Sequence, residues 1–339
     1  MKEGMTTLHG GNLFEICRQR GWDWHDVLDL SASINPLGLA PGVRPAIESA
    51  LDRIAHYPER SAPLLANRLA EHWQVEPQQI VLGNGATELI HFLARTWPQQ
   101  IVTLLIPAFS EYHRAYPYAA PASSFDNLPA DGLAVLAQPN NPTGETMAFE
   151  RLREWLLASD RPVLIDESFI EFTDSPSVVQ LVRRRKNLLV LRSMTKFYAL
   201  PGLRVGALVG DPAILDRLRA IREPWQVNAL AEAAALAALE DSSHAERSRN
   251  LITRERAWLW ERLWTIPGLR PVQSSANFFL VYVERAGDLC RWFLDRKVIL
   301  RDCTGWPGLS GEAVRFAIRT REENQRVIAM FQEFFGDRR

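Results

Sequence analysis

The sequence predicts an α/β fold: a large domain built on a mostly parallel central sheet, followed by a smaller α+β domain. Three observations carry that expectation. From Ile80 onward, short apolar runs alternate with helical stretches, which is the pattern of parallel strands joined by crossover helices. The runs Ile101–Ile106, Leu133–Ala137, Val163–Ile165 and Leu188–Leu191 are apolar throughout and read as buried strands. After Pro267-Gly268, strands near Phe278–Val283 and Val314–Ile318 mix with helices near Leu289–Arg296 and Glu322–Phe335, a second and smaller unit. The expected divisions are an N-terminal arm over 1–45 packing with the small domain, a large domain over 46–245 and a small domain over 246–339.

Composition fits this size and excludes several function classes. With 339 residues, 47% hydrophobic and 23% charged, the chain can bury a large core and form two domains in one subunit. A formal net charge of −1 leaves no cationic excess for nucleic acid or an anionic membrane, so the expected partners are small molecules or a second copy. The three cysteines, Cys17, Cys290 and Cys303, are far apart and form no CxxC, as for reduced thiols with no zinc site. The opening MKEGMTTLHGGN has no apolar signal core, and no apolar run approaches the roughly 18 residues of a membrane span, so a soluble, cytoplasmic protein is expected. There are no repeats, low-complexity tracts or flexible linkers.

In chain order, Leu8-His9-Gly10-Gly11-Asn12 is a loop before a short helix around Phe14–Arg20. Leu28–Pro36 then reads as a strand closing in a turn. Ala55-His56-Tyr57-Pro58 leads into a helix over Pro63–Trp73. The strand Ile80–Leu82 runs into Gly83-Asn84-Gly85-Ala86-Thr87-Glu88, and a glycine-rich turn entering a helix offers backbone N–H groups to an anion. Phe109, just past the next strand, can cover a flat heterocycle or belong to the core. Gln138-Pro139-Asn140-Asn141-Pro142 presents amide side chains at a strand end, and Asp166 closes the following strand with a carboxylate. Open α/β sheets bind ligands outside these carboxyl ends.

The next strand ends in Arg192-Ser193-Met194-Thr195-Lys196, and Pro201-Gly202-Leu203-Arg204 follows. A hydroxyl cluster beside two cations suits a phosphate. A partly desolvated lysine near another cation becomes a nucleophile toward a carbonyl cofactor. Together they point to pyridoxal 5′-phosphate. Alone, the stretch also fits a turn with a solvated lysine and an arginine capping a helix. Gly206–Val209 reads as one more sheet strand, Asp211-Pro212 opens a helix, and Asn228–Ile266 is a long or once-broken helix.

The order GNGATE, PAF, NNPTG, DES, SMTK, PGLR resembles the fold-type-I pyridoxal-phosphate enzymes of the aspartate aminotransferase superfamily, over the chain from about residue 30 to its end. The resemblance implies that the large domain binds the cofactor. By it Lys196 carries the cofactor as a Schiff base, Asp166 pairs with the pyridine nitrogen and Asn141 bonds the ring hydroxyl. Ser193, Arg204 and the turn Gly85-Ala86-Thr87 would hold the phosphate, with Phe109 stacked on the ring. Within the superfamily the chain looks most like the branch of histidinol-phosphate aminotransferase and threonine-phosphate decarboxylase. His56-Tyr57-Pro58 is similar to the segment by which a tyrosine reaches the cofactor phosphate of a second subunit, which implies a homodimer. His9-Gly10-Gly11-Asn12, Ile299–Cys303 with Pro307-Gly308-Leu309, and Val314–Arg319 are similar to the cobalamin-pathway decarboxylase. Phe169 stands where aminotransferases of the branch usually carry a tyrosine that bonds the ring oxygen.

The substrate expected from this resemblance is a phosphorylated amino acid. Arg315 matches the superfamily's carboxylate-binding arginine, Arg301 and Arg319 add charge nearby, and His9 and Asn12 bring the arm over the substrate phosphate. Strand alternation places Arg315 and Arg319 on one face, although Arg319 can instead pair with a neighbouring acid. The implied reaction is decarboxylation of L-threonine O-3-phosphate, and transamination remains the alternative, because the torsion about the α-carbon decides which bond breaks. A cofactor-binding regulator is a third reading, but such proteins carry a fused DNA-binding module, for which no room is expected before residue 30.

Overall fold

The computed structural model describes residues 10–96 and 101–336. Among these, seven strands form one sheet in the order 80–84, 205–209, 188–193, 163–166, 133–137, 102–105, 120–122. All neighbours run parallel except the pairs made by Val205–Val209, which is antiparallel to both its neighbours. Alternation along the strands divides the core in two. Val163, Ile165, Leu188 and Val190 face a cluster with Leu65 and Leu69 of helix Pro63–Trp73 and Leu152 and Leu156 of helix Phe149–Ala158. Leu164, Leu189 and Leu191 face the other side, against Leu89 and Leu93 of helix Ala86–Thr96 and Leu215 and Leu218 of helix Pro212–Ile221. Helices on both faces explain why these strands are apolar at every position.

A four-stranded antiparallel sheet, ordered 301–302, 313–317, 278–282, 270–271, builds the second unit. Its core is a separate cluster rich in phenylalanine, with Phe278, Phe279, Phe293, Phe316 and Phe331. The stretch from Asn228 is two helices, Ala229–Glu240 and Ser242–Leu263, separated by Asp241, whose carboxylate accepts the His244 N–H at 2.7 Å.

The arm joins the two units. Leu28–Asp29 pairs in parallel with Val298–Ile299, and Leu28 and Leu30 are buried in the phenylalanine-rich cluster. The Ala317 N–H donates to the Leu30 carbonyl at 2.9 Å, and Asn277 Nδ2 donates to the Ser33 carbonyl at 3.0 Å. A few residues on, Asn35 Nδ2 donates to the Phe197 carbonyl at 2.8 Å, and the Asn35 N–H donates to the Lys196 carbonyl at 3.0 Å. Residues 28–35 therefore touch both the small sheet and the loop after strand Leu188–Ser193. Among the described residues, no helix is long and apolar enough to cross a membrane.

Candidate active site

The adjacent strands Leu133–Ala137, Val163–Asp166 and Leu188–Ser193 end together, with Ala137 beside Asp166 and Asp166 beside Leu191 in the ladder. Asn141, Asp166 and Lys196 therefore emerge along one sheet edge. Arg204 reaches the same edge by a different route. Because Val205–Val209 runs antiparallel, the residue that precedes it lies where its neighbours finish.

Two glycines close this edge around Arg204. Gly206 lies against the turn after strand Ile80–Asn84, where a Cβ would stand 2.4 Å from the Ala86 nitrogen. Gly85, at φ +83°, has its bare α-carbon against the guanidinium, and a Cβ there would stand 2.2 Å from Arg204 Nη2. The turn, the start of helix Ala86–Thr96 and Arg204 thus form an anion cradle made of N–H groups and a fixed cation.

Asp166 is held from two sides. Its Oδ1 accepts the Ser168 N–H at 2.9 Å, and its Oδ2 accepts the Tyr112 hydroxyl at 2.9 Å. Burial, and then the negative charge of Asp166, raise the Tyr112 pKa well above the ordinary phenol value, so the hydroxyl stays protonated and donates. Lys196 is pushed the other way, down to about 8; burial is the main cause, Asp166 opposes it, and Arg204 and Arg315 add to it. Its Nζ is 3.4 Å from Ser193 Oγ, which shares a 2.8 Å hydrogen bond with Thr195 Oγ1. Near neutrality the amine thus has an appreciable uncharged fraction, as attack on a carbonyl requires.

Arg315 faces these groups from the small sheet. Nη1 donates to Asn141 Oδ1, Nη2 donates to the Ser31 carbonyl at 2.9 Å, and the guanidinium lies 5.0 Å from the centre of the Phe278 ring. Its Nε is buried with no hydrogen-bond partner among the described residues, and burial lowers its pKa to about 10, which still leaves it charged at neutral pH.

Asp166, Lys196, Arg204, Arg315, Asn141, Phe109, Ala86 and Thr87 line one cavity of about 540 Å³, with Gly10 and Gly11 at its wall. That volume suits a cofactor-sized ligand. Gly85 and Ser193 stand directly behind the lining, in contact with Arg204 and Lys196 respectively. Pyridoxal 5′-phosphate fits the donor set: a carboxylate for the pyridine nitrogen, an amine for the aldehyde, and a glycine cradle with an arginine for the phosphate.

Other expected residues lie elsewhere. Arg319 falls beyond the end of strand Ala313–Ala317, so strand alternation does not carry it onto the Arg315 face; it pairs with Glu323 at 3.2 Å and lines a separate depression with Pro36 and Arg326. Arg301 is opposite Arg315 in the ladder and only 9% exposed, but it lies over Trp306 outside the cavity lining. Asn12 heads helix Leu13–Arg20 without lining the cavity, and His9 lies outside the described residues. Tyr57 is 81% exposed and stacks on Trp225 at 4.5 Å, away from this cavity. Sequence reasoning misses Tyr112; the available signal is a tyrosine one helical turn after Phe109, on the inward side of the short helix Ser110–Ala115.

Comparison with known proteins adds to this geometry. A family model for aminotransferases of class I and II matches residues 25–120 and 125–331. The chain is 34% identical to a threonine-phosphate decarboxylase of Salmonella typhimurium, over 95% of this chain and 94% of that protein. It is similar to the crystal structure of L-threonine-O-3-phosphate decarboxylase from Porphyromonas gingivalis, with a TM-score of 0.86 and 25% identity over 91% of this chain and 100% of that one. Histidinol-phosphate aminotransferase from Clostridium acetobutylicum is similar too, with a TM-score of 0.84 and 27% identity over 92% of this chain and 100% of that one.

Proposed function

Because the chain belongs to the class I and II aminotransferase family, with pyridoxal 5′-phosphate as its cofactor, we propose that it decarboxylates L-threonine O-3-phosphate to (R)-1-amino-2-propanol O-2-phosphate in cobalamin biosynthesis. The observation that carries this choice is Phe169. It lines the cavity with its ring centre 5.8 Å from Lys196 Nζ, and it offers no hydroxyl where aminotransferases of the resembling branch place one. The 34% identity to the Salmonella decarboxylase supports the same reading. Transamination of histidinol phosphate is the alternative.

Bound in the cavity, the cofactor supplies an electron sink for the pair released when a bond to the substrate's α-carbon breaks. The chain supplies the rest. Arg315 would take the substrate carboxylate in a charge-assisted contact, and Arg301 beside it in the ladder would add positive potential for a phosphate dianion. Asp166, held on both oxygens, would accept the N–H of the ring. Phe109 walls the cavity, and Gly10 and Gly11 of the arm narrow its mouth. Decarboxylation breaks the bond between the α-carbon and the carboxylate, releases carbon dioxide and needs one proton returned to that carbon. Lys196 Nζ is the group of suitable pKa inside the cavity to deliver it.

The assembly that fits this reading is a homodimer. Tyr57, Leu51, Ile54 and Leu64 are each exposed, apolar side chains of one segment that a second subunit would cover. Sedimentation should give a dimer that weakens when the cofactor is removed; a fully active monomer would refute it.

The deciding experiment incubates the enzyme with L-threonine O-3-phosphate or histidinol phosphate, with and without 2-oxoglutarate, and measures carbon dioxide and glutamate. The expected result is carbon dioxide from threonine phosphate without any keto acid. Glutamate formed from histidinol phosphate, with threonine phosphate untouched, overturns the proposal.

A further inference from the structure

Asp166 is the carboxylate that meets the cofactor's ring nitrogen, yet one of its oxygens is already occupied by a side chain with no role in the reading above. Tyr112 lies on the short helix Ser110–Ala115, is almost wholly buried, and extends its hydroxyl 2.9 Å from Asp166 Oδ2. No other side-chain hydrogen bond of that hydroxyl is found among the described residues. The rest of the phenol ring is enclosed by apolar groups of the sheet and of helix Ala86–Thr96, in the cluster of Leu89, Leu104, Val135 and Leu164. Oδ1 is engaged by the Ser168 N–H. Each oxygen thus gives one lone pair to the protein, and the carboxylate cannot turn without breaking a buried bond.

We infer that Tyr112 is a positioning residue that fixes the orientation of Asp166 toward the cofactor ring and donates to its carboxylate. A donor hydrogen bond stabilises the ionised carboxylate more than the neutral acid. The hydroxyl therefore favours the anionic form of the carboxylate as the partner of a protonated ring nitrogen. A phenol performs this task without a switch of its own, because it does not ionise anywhere near neutral pH. A histidine in the same place would exchange its charge in the working range. The inference rests on the cofactor reading of the site.

Other titratable and charged groups face this pair. Lys196 lies on the loop beside Asp166, Arg204 and Arg315 stand across the cavity, and Tyr116 follows the helix of Tyr112. At the wall, Glu111 is bridged to His91 at 2.8 Å and to Arg114 at 2.9 Å. With these groups so near the site, only the difference between the wild type and a Tyr112 variant reports on Asp166.

The test uses the holoenzyme with Tyr112→Phe, which keeps the ring and removes only the donor. The first readout is the pH at which half of the cofactor is released on acidification, followed by absorbance of the filtrate. Without the donor Asp166 protonates more readily, so this midpoint should rise by about one pH unit, and the pH-dependent change in cofactor absorbance should move with it. The cofactor dissociation constant at neutral pH should rise by about tenfold. In an Asp166→Asn background, which has no charge to stabilise, the same Tyr112→Phe change should leave the midpoint where it is. Near-UV circular dichroism of each apoprotein checks that the core is intact, and Tyr112→His, which restores a donor, should recover part of the shift if Tyr112→Phe folds poorly. An unchanged midpoint in Tyr112→Phe, or an equal shift in the Asp166→Asn background, overturns the role of Tyr112. A wild-type protein that holds no cofactor overturns the cofactor reading instead, so the two failures are distinct.

Discussion

Asp166 and Lys196 leave adjacent parallel strands of one sheet, whereas Arg315 comes from an antiparallel sheet with its own phenylalanine-rich core. At the first end, ladder register fixes the spacing: Asp166 pairs with Leu191, and Lys196 follows five residues after that partner. At the second, placement across the cavity rests on hydrogen bonds from Arg315 to Ser31 and Asn141 and from Asn277 to Ser33, and on a cluster that the small sheet shares with Phe169, Phe172 and Phe197. The difference teaches that, on the proposed reading, cofactor chemistry and substrate choice are drawn from different sheets. A change of arginine on the small sheet should then alter substrate use more than cofactor binding, with Asn141 the residue through which Arg315 touches the cofactor side.

The harshest way to break the cofactor end is Lys196→Ala. Borohydride reduction should then fix no cofactor to the protein, and kcat should fall by about 10⁴-fold. Mass spectrometry of the reduced wild type locates the adduct; finding it on Lys186 or Lys297 would refute the assignment. Arg315→Ala tests the separation itself. It should lower kcat/KM for threonine phosphate by roughly a hundredfold while cofactor affinity changes far less, because the guanidinium it removes is the proposed substrate contact and touches the cofactor side only through Asn141. Equal losses in both would mean that the two ends are one unit.

A smaller effect is expected from pH. Lys196 loses its proton around 8 instead of near 10.5, so the rate at which apoprotein takes up pyridoxal 5′-phosphate should increase by about tenfold between pH 7 and 9 and then level off. A profile still rising steeply at pH 10 would show an ordinary, solvated lysine. Arg319→Ala should matter least, with kinetics within about twofold of wild type, since its partner is Glu323 and it faces a different depression. A large loss in kcat/KM would return Arg319 to the substrate site.

The same division decides what can be read from sequence. Leu133–Ala137, Val163–Asp166 and Leu188–Ser193 are apolar runs with polar residues at or just past the carboxyl end, so the strands and the residues that follow them are both visible in the string of letters. The substrate end offers no such punctuation. Alternation carried past Ala317, where the strand stops, misplaces Arg319. The strand Ala120–Ala122 leaves little signal because it is a short edge strand holding Pro121. Tyr112 is hidden for another reason: its bond to Asp166 spans 54 residues, and no local pattern encodes a contact between a helix and a strand end so far apart.

The pairing of Leu28–Asp29 with Val298–Ile299 bears on the order in which the chain is made. During synthesis residues 28–29 emerge well before their partners at 298–299. Strands from Ile80 to Val209 can form their sheet while synthesis continues, since each neighbour is close in sequence or soon to arrive. The arm must wait in solution with Leu28 and Leu30 uncovered until residues 298–317 are delivered. Completion of the site is then a late event in folding, governed by a contact of very long sequence separation. A ribosome stalled before residues 298–317 emerge would hold a finished large sheet with an unfinished cavity.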